Sequence, residues 1–253
     1  MKQLTIYRYY FTETDCYKKN IKSTPKGVQV HSTGAANSYL KRYVGPDDGR
    51  LGKNVNNNHH NKPGKTVCAS AYIGRLADGT PAIYQTLPWE ERCWLSGSGK
   101  NGNANKLGYI GFEICEDKKD NKDYFNAVVM GLAVDLTAYL CQEYHIPLSM
   151  VKDHRELHGM GLASNHGDIN HWLQVFGYNM NDFRAAVQKV LNEGIKVTYI
   201  DAKNPVPAKP ISIITEKEEL YSISNIISDI VNTFDMAISK LNEKINNSNS
   251  GEE

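Results

Sequence analysis

A chain of 253 residues has room for one well-packed domain with an appendage, and too little for two large domains. Its 29 basic and 28 acidic side chains leave a formal net charge of +1, which excludes a global field able to recruit nucleic acid or an anionic membrane. Five cysteines (Cys16, Cys68, Cys93, Cys115 and Cys141), odd in number and scattered without a CxxC pair, argue against a disulfide framework and a thiolate zinc knuckle, and read as reduced, mostly buried thiols.

The first segment, MKQLTIYRYYFTETDCYKK, lacks the uninterrupted apolar run of about 7 to 15 residues that a signal peptide needs, and no stretch approaches the roughly 18 apolar residues of a membrane span. The expectation is cytoplasmic synthesis without a signal peptide and without membrane insertion. Residues 27–31, GVQVH, alternate so that Val28 and Val30 face one way and Gln29 and His31 the other. This is the pattern of a strand buried on one side, with His31 at its end on the more polar face. Residues 32–65 are rich in Asn, Gly, Asp and Pro and read as a long surface loop, a class of segment that is often functional.

The stretch SAYIGRLADGTPAIYQTLP gives two short strands around the Asp78-Gly79 turn signal. GYIGFEICE gives another, with Ile110, Phe112 and Ile114 on one face and Glu113 projecting from the other. In YFNAVVMGLAVDLTAYLCQEYH, apolar residues from Phe125 to Leu140 recur at spacings of three and four, which predicts a helix with one core face. A second helix is expected from about Met180, with Asn181 as its cap and Gly194 as its stop. Strands interleaved with amphipathic helices predict an α/β fold, although strand order does not follow from the pattern.

Beyond Gly194 the character changes. The domain is expected to close at residue 195, with a semi-rigid linker over 196–210 that contains AKNPVPAKP. A helix over 211–246 follows, where Leu220, Ile223, Ile227, Ile230, Phe234, Ala237 and Leu241 repeat at three and four. Its stripe can pack back on the main domain or make the chain a homo-oligomer through a short coiled coil, in which seam isoleucines favour more than two strands. Residues 247–253 read as a disordered tail.

One segment, DHRELHGMGLASNHGDINHW, residues 153–172, holds four of the chain's eight histidines. His154 follows an apolar run that suggests a strand, and so resembles His31 in placement. The glycines between them let the loop bring His166 or Asp168 back toward His154. A catalytic zinc site takes three such protein ligands and keeps a fourth position for solvent. His59, His60 and His145 read as surface or hydrogen-bonded side chains, and His158 and His171 as supporting ones. Composition and spacing alone leave metal binding open.

PKGVQVHSTG, LGKNVNNNHHNKPG, YIGRLADGTPAIYQTLPWEERCW, IGFEICED and HRELHGMGLASNHGDINHW, taken together and in this order, resemble the zinc-dependent N-acetylmuramoyl-L-alanine amidases of the amidase-2 type. That family also includes peptidoglycan recognition proteins, and the likeness is nearest to phage endolysins. It runs from about residue 10 to residue 192. The resemblance implies a mixed central sheet flanked by helices, a bound Zn²⁺, peptidoglycan as substrate, and cleavage between N-acetylmuramic acid and L-alanine. By the family's pattern His31, His154 and Asp168 are the metal ligands, with Glu113 and His166 catalytic; the alternative has His166 as third ligand with Asp168 supporting it. Relatives often carry histidines where this chain has Leu95 and Ala71, neither of them a ligand position. Residues 32–65, with Tyr39 and Tyr43, are expected either to wall a substrate groove or to be merely solvated. The rival reading is a non-catalytic peptidoglycan-binding module.

Overall fold

The computed structural model describes residues 1–202. The expected helix over 211–246, the tail over 247–253 and most of the linker lie outside them. The chain enters as strand β1 (Lys2–Arg8) and a short helix α1 (Asp15–Lys19), then runs through β2 (Gly27–Ala36). A hairpin follows, β3 (Ala71–Arg75) and β4 (Pro81–Gln85). At its turn Gly79 takes φ +89° and the Thr80 N–H donates to Asp78 Oδ1 at 2.9 Å, so the Asp-Gly signal works as its chemistry requires.

β5 (Tyr109–Glu116) leads to a long helical stretch made of α2 (Lys122–Ala127), a π-helical turn over Val128–Ala133, and α3 (Val134–Tyr144). Its 23 residues are long and apolar enough, by length and composition alone, to cross a membrane, contrary to the expectation that no stretch approaches that. The reason for its apolar character is the core: Phe125, Val128, Val129, Leu136 and Leu140 are fully buried against the sheet. β6 (Val151–Asp153), α4 (His154–Gly159), α5 (Asp168–Val175) and α6 (Met180–Glu193) follow. The cap of α6 is Asn179, whose Oδ1 accepts from the Asn181 and Asp182 N–H groups, and not Asn181; Gly194 ends it with φ +74°.

A last strand, β7 (Ile195–Asp201), corrects the expected domain boundary. It pairs in parallel with β1 over seven residues, from Lys2↔Ile195 to Arg8↔Asp201, so the first residues assigned to a linker belong to the sheet. IKVTYID alternates β-branched and polar residues, a strand signal that the neighbouring prolines mask.

The seven strands lie in the order β6-β2-β5-β3-β4-β1-β7, all parallel to their neighbours except the β3/β4 hairpin. Helices cover one face, where Val28, Val30, Phe112, Ile114, Ala71 and Ile73 form the larger core. The other face carries Tyr72, Tyr84 and Cys115, under Phe11, Cys16, Leu40 and Tyr43. β2 is therefore buried on both sides, not one, and its polar residues Gln29 and His31 sit in the interior. Buried polar groups need partners. Theirs define the site.

Candidate metal centre

β2, β5 and β6 are adjacent and parallel, so the segments leaving their C-terminal ends converge at one edge of the sheet. His31 lies within β2, which continues to Ala36 through an irregular register, so it is not a strand-end residue; it is 1% exposed. β6 pairs Val30 with Asp153, which delivers the next residue, His154, beside His31. His154 opens α4 and does not end a strand. A capping box fixes that opening: Asp153 Oδ1 accepts from the Glu156 N–H at 2.7 Å, and Glu156 Oε2 accepts from the Asp153 N–H at 3.2 Å. Asp168 begins α5 with φ +31°, a left-handed backbone uncommon for a residue with a side chain. Such strain persists where surrounding contacts over-determine it.

Those contacts are the site itself. Asp168 Oδ2 lies 2.6 Å from His31 Nδ1 and 2.7 Å from His154 Nδ1, and the two Nδ1 atoms are 3.1 Å apart. The opposite ring nitrogens have fixed partners. His31 Nε2 is 3.1 Å from Gln29 Oε1, and His154 Nε2 is 2.9 Å from the Ser164 carbonyl oxygen. Both partners are acceptors, so both Nε2 atoms carry the proton and the neutral rings present bare Nδ1 lone pairs. Two imidazole lone pairs and a carboxylate oxygen meeting at these distances repel one another unless cationic charge lies among them. The donor set and its outer hydrogen bonds fit a divalent ion such as zinc, whose histidine ligands typically donate their other N–H to a carbonyl or carboxylate.

Electrostatics agree. Burial alone would raise the Asp168 carboxyl, but without an ion the rings of His154 and His31, which bond to it and attract it once protonated at Nδ1, outweigh burial and hold the group well below the usual carboxylate range, so positive charge at this point is what the carboxylate favours. Burial holds the His31 ring below the usual histidine range, against the pull of Asp168.

Glu113 is register-paired with His31 across β2 and β5 and with Tyr72 across β3 and β5, so its side chain leaves the sheet on the face that carries His31. Its Oε2 is buried without a hydrogen-bond partner. Burial first, then the charges of Asp168 and Glu116, push its carboxyl well above the ordinary range. His166 is exposed: its Nδ1 is 3.1 Å from Ser164 Oγ, and its ring meets the His154 ring edge-on with centroids 4.9 Å apart. The atoms brought together are thus those of His31, His154 and Asp168, with His166 beside them.

Residues that sequence reasoning passed over complete the frame. Gln29 and Ser164 hold the outer nitrogens of the two histidines. Glu116 accepts from Ser32 Oγ at 2.6 Å and from the Gly34 N–H at 3.2 Å, and its other oxygen lies 3.2 Å from His171 Nε2. It thereby ties the irregular end of β2 to the helix that Asp168 opens. The one local signal was the Asp153/Glu156 spacing, readable as a capping box. His158 Nδ1 is 3.1 Å from the Ala163 carbonyl, and His60 Nδ1 is 2.8 Å from Tyr72 Oη. Burial, reinforced by Lys65 and Arg42, lowers His60 to about 4. Tyr43 is buried with its hydroxyl on Thr33, so of the two loop tyrosines only Tyr39 is exposed. Ala71 faces the helix-covered core, away from His31 and Glu113, while Leu95 packs over Gly111.

Comparison with known proteins gives several likenesses. The N-acetylmuramoyl-L-alanine amidase CwlA of a Bacillus species is 33% identical over 103 residues, which are 41% of this chain and 39% of that protein. CwlH of Bacillus subtilis (strain 168), also an N-acetylmuramoyl-L-alanine amidase, is 39% identical over 77 residues, 30% of this chain and 29% of its own. The matches thus span less than half the length of these curated relatives. The crystal structure of Staphylococcus aureus hydrolase AmiA in complex with its ligand shares the fold, with TM-score 0.53 and 16% identity over 76% of this chain and 85% of that one. A family model described as N-acetylmuramoyl-L-alanine amidase matches residues 21–169, which span β2 through the first residues of α5 and hold His31, Glu113, His154, His166 and Asp168, and the chain belongs to that family, Amidase_2.

Proposed function

We propose that the chain is a zinc-dependent N-acetylmuramoyl-L-alanine amidase, a peptidoglycan hydrolase that cleaves the amide between the lactyl group of N-acetylmuramic acid and the L-alanine of the stem peptide. The observation that carries this reading is the convergence of His31 Nδ1, His154 Nδ1 and Asp168 Oδ2 on the face that also carries Glu113, whose Oε2 is buried without a hydrogen-bond partner. Family membership supplies the bond; the side chains supply the chemistry. Zn²⁺ held by His31, His154 and Asp168 supplies Lewis acidity at the reacting carbonyl and acidity to water.

Glu113 acts as the base. Its raised proton affinity suits it to take a proton from the attacking water, whose oxygen adds to the amide carbon, and to hand that proton to the nitrogen as the C–N bond breaks. The products are a lactyl carboxylate and a free amine on L-alanine. His166, steadied by Ser164 Oγ, donates an N–H to the developing oxyanion, a role in which one well-placed donor contributes about 3 to 4 kcal/mol. The setting that fits is bacterial cell-wall lysis as a phage or prophage endolysin, released to the wall by a separate permeabilising partner.

Mass spectrometry of digested peptidoglycan tests this reading. Cleavage at the muramoyl-alanine bond leaves free stem peptides and intact glycan strands. Zinc bound without release of any amine would show instead a recognition module.

A further inference from the structure

Gln29 lies within β2 with its side chain fully buried, on the face of the sheet that carries the smaller, largely apolar core. Its amide is engaged on both sides. Nε2 donates to the Tyr109 carbonyl oxygen at 3.3 Å and to Asn105 Oδ1 at 2.7 Å, while Oε1 accepts from His31 Nε2 at 3.1 Å. A main-chain carbonyl can only accept, so Tyr109 settles which end of the Gln29 amide is NH₂. Asn105, 4% exposed, is settled in the same way: the Leu95 N–H donates to its Oδ1 at 3.4 Å. Two amides are therefore oriented in series by main-chain groups that cannot reverse, and the end of the series is the outer nitrogen of His31. The space beside it is equally determined. A Cβ on Gly111 would fall 2.9 Å from Gln29 Nε2 and 2.7 Å from Leu95 Cδ2, so the glycine of IGFE leaves room for this amide and for the leucine that covers it.

We infer that Gln29 and Asn105 are positioning residues that lock the His31 ring with its Nδ1 lone pair toward the metal, and so set the metal affinity of the site. The inference rests on the metal-site reading above. It goes beyond it in assigning a task to two neutral side chains that touch neither ion nor reacting atoms. Without the Gln29 acceptor the imidazole gains a second orientation, with Nε2 toward the ligand cluster, and the ordering cost falls on metal binding. Asn105 also lines a cleft of about 350 Å³ together with Trp94, Leu95, Ser164 and His166, so the far end of the series is the wall of the open groove beside the site.

The test measures the zinc dissociation constant of the full chain by competition with a chelator, with the melting temperature of each metal-free form as the folding control. Gln29→Leu is expected to weaken zinc binding 10- to 100-fold, the usual effect of removing a hydrogen-bond partner of a ligand. Asn105→Leu weakens it less, because Tyr109 still holds the amide, and Asn105→Asp, which keeps the acceptor, stays within about 2-fold of the parent. In the zinc-loaded parent, ¹⁵N-histidine spectra show the His31 Nε2–H protected from exchange, and in Gln29→Leu that protection is lost. If Gln29→Leu does not fold, Gly111→Ala, which crowds the same amide and removes no polar group, must reproduce the loss of affinity. Parental affinity with a protected Nε2–H in Gln29→Leu, or an Asn105→Asp as damaging as Asn105→Leu, overturns the inference while leaving the metal site standing. A parent chain that holds no zinc overturns both.

Discussion

Glu113 is a carboxylate held where its charge is disfavoured. Its folded-state proton affinity is raised by burial and by the neighbouring acids, and one of its oxygens has no partner. The linkage runs in one direction: the folded chain binds this proton more tightly than the unfolded one, whose glutamates titrate near 4.3, so its contribution to stability is complete below that value and is lost as the pH rises through the folded-state value. Glu113→Gln removes the cost. Metal-free parent and variant are expected to melt together near pH 4, with the variant progressively more stable toward pH 8, while turnover falls by about 10²- to 10⁴-fold and zinc stays bound. A variant that melts lower than the parent at pH 8 contradicts this account. His31→Ala is the contrasting case: equilibrium dialysis is expected to show zinc and activity lost together. The histidines and Asp168 were legible because a ligand's residue type and motif are local properties of the chain. Gln29 was not, since the groups that orient its amide toward His31 stand 76 and 80 residues away and an amide has no pattern of its own.

The elements that carry the ligands divide in the same way. The strands around Asp78-Gly79, the strand of IGFE and the helix over Met180–Glu193 follow from period and turn chemistry, which are local physics, although the cap of that helix is Asn179 and not the expected Asn181. What period cannot show is that a strand with alternating character is covered on both faces, or that the chain turns into a helix at His154. That turn is set by Asp153, which is 1% exposed and accepts from the Glu156 N–H and, at 3.1 Å, from Asn170 Nδ2. Asp153 therefore joins the start of α4 to the first turn of α5, the two helices whose opening residues are the proposed ligands His154 and Asp168. Asp153→Ala is expected to cost about 1 to 2 kcal/mol for the lost cap, read as a lower urea midpoint, and to weaken zinc binding as well. Asp153→Asn keeps an acceptor for the Glu156 N–H and should recover most of the stability. Equal damage from both variants would mean that the carboxylate charge, and not the cap, holds α4.

Binding that requires three elements at once stabilises the whole fold. An ion that binds the folded chain alone adds about 2.7 kcal/mol at a concentration 100 times its dissociation constant. For a unit of about 200 residues this is a rise of roughly 5 to 10 °C in melting temperature, which a chelator should reverse. The extent of that unit is the other property of the whole molecule, and β7 determines it. Removing Ile195–Asp201 would bare the hydrogen-bonding edge of β1 along Lys2–Arg8, a seven-residue template for pairing with other chains. It would also take Tyr199 from Trp89 Nε1, which donates to its hydroxyl at 2.9 Å, and from the Tyr139 hydroxyl at 2.8 Å. Both partners are buried, and each orphaned group costs about 1 to 3 kcal/mol. A chain ending at Gly194 is therefore expected to unfold at lower urea and to aggregate, whereas one ending at Pro205 keeps β7 and binds zinc with parental affinity. Parental stability in the shorter chain would mean that the sheet ends at β1 and that the terminal strand is an accessory.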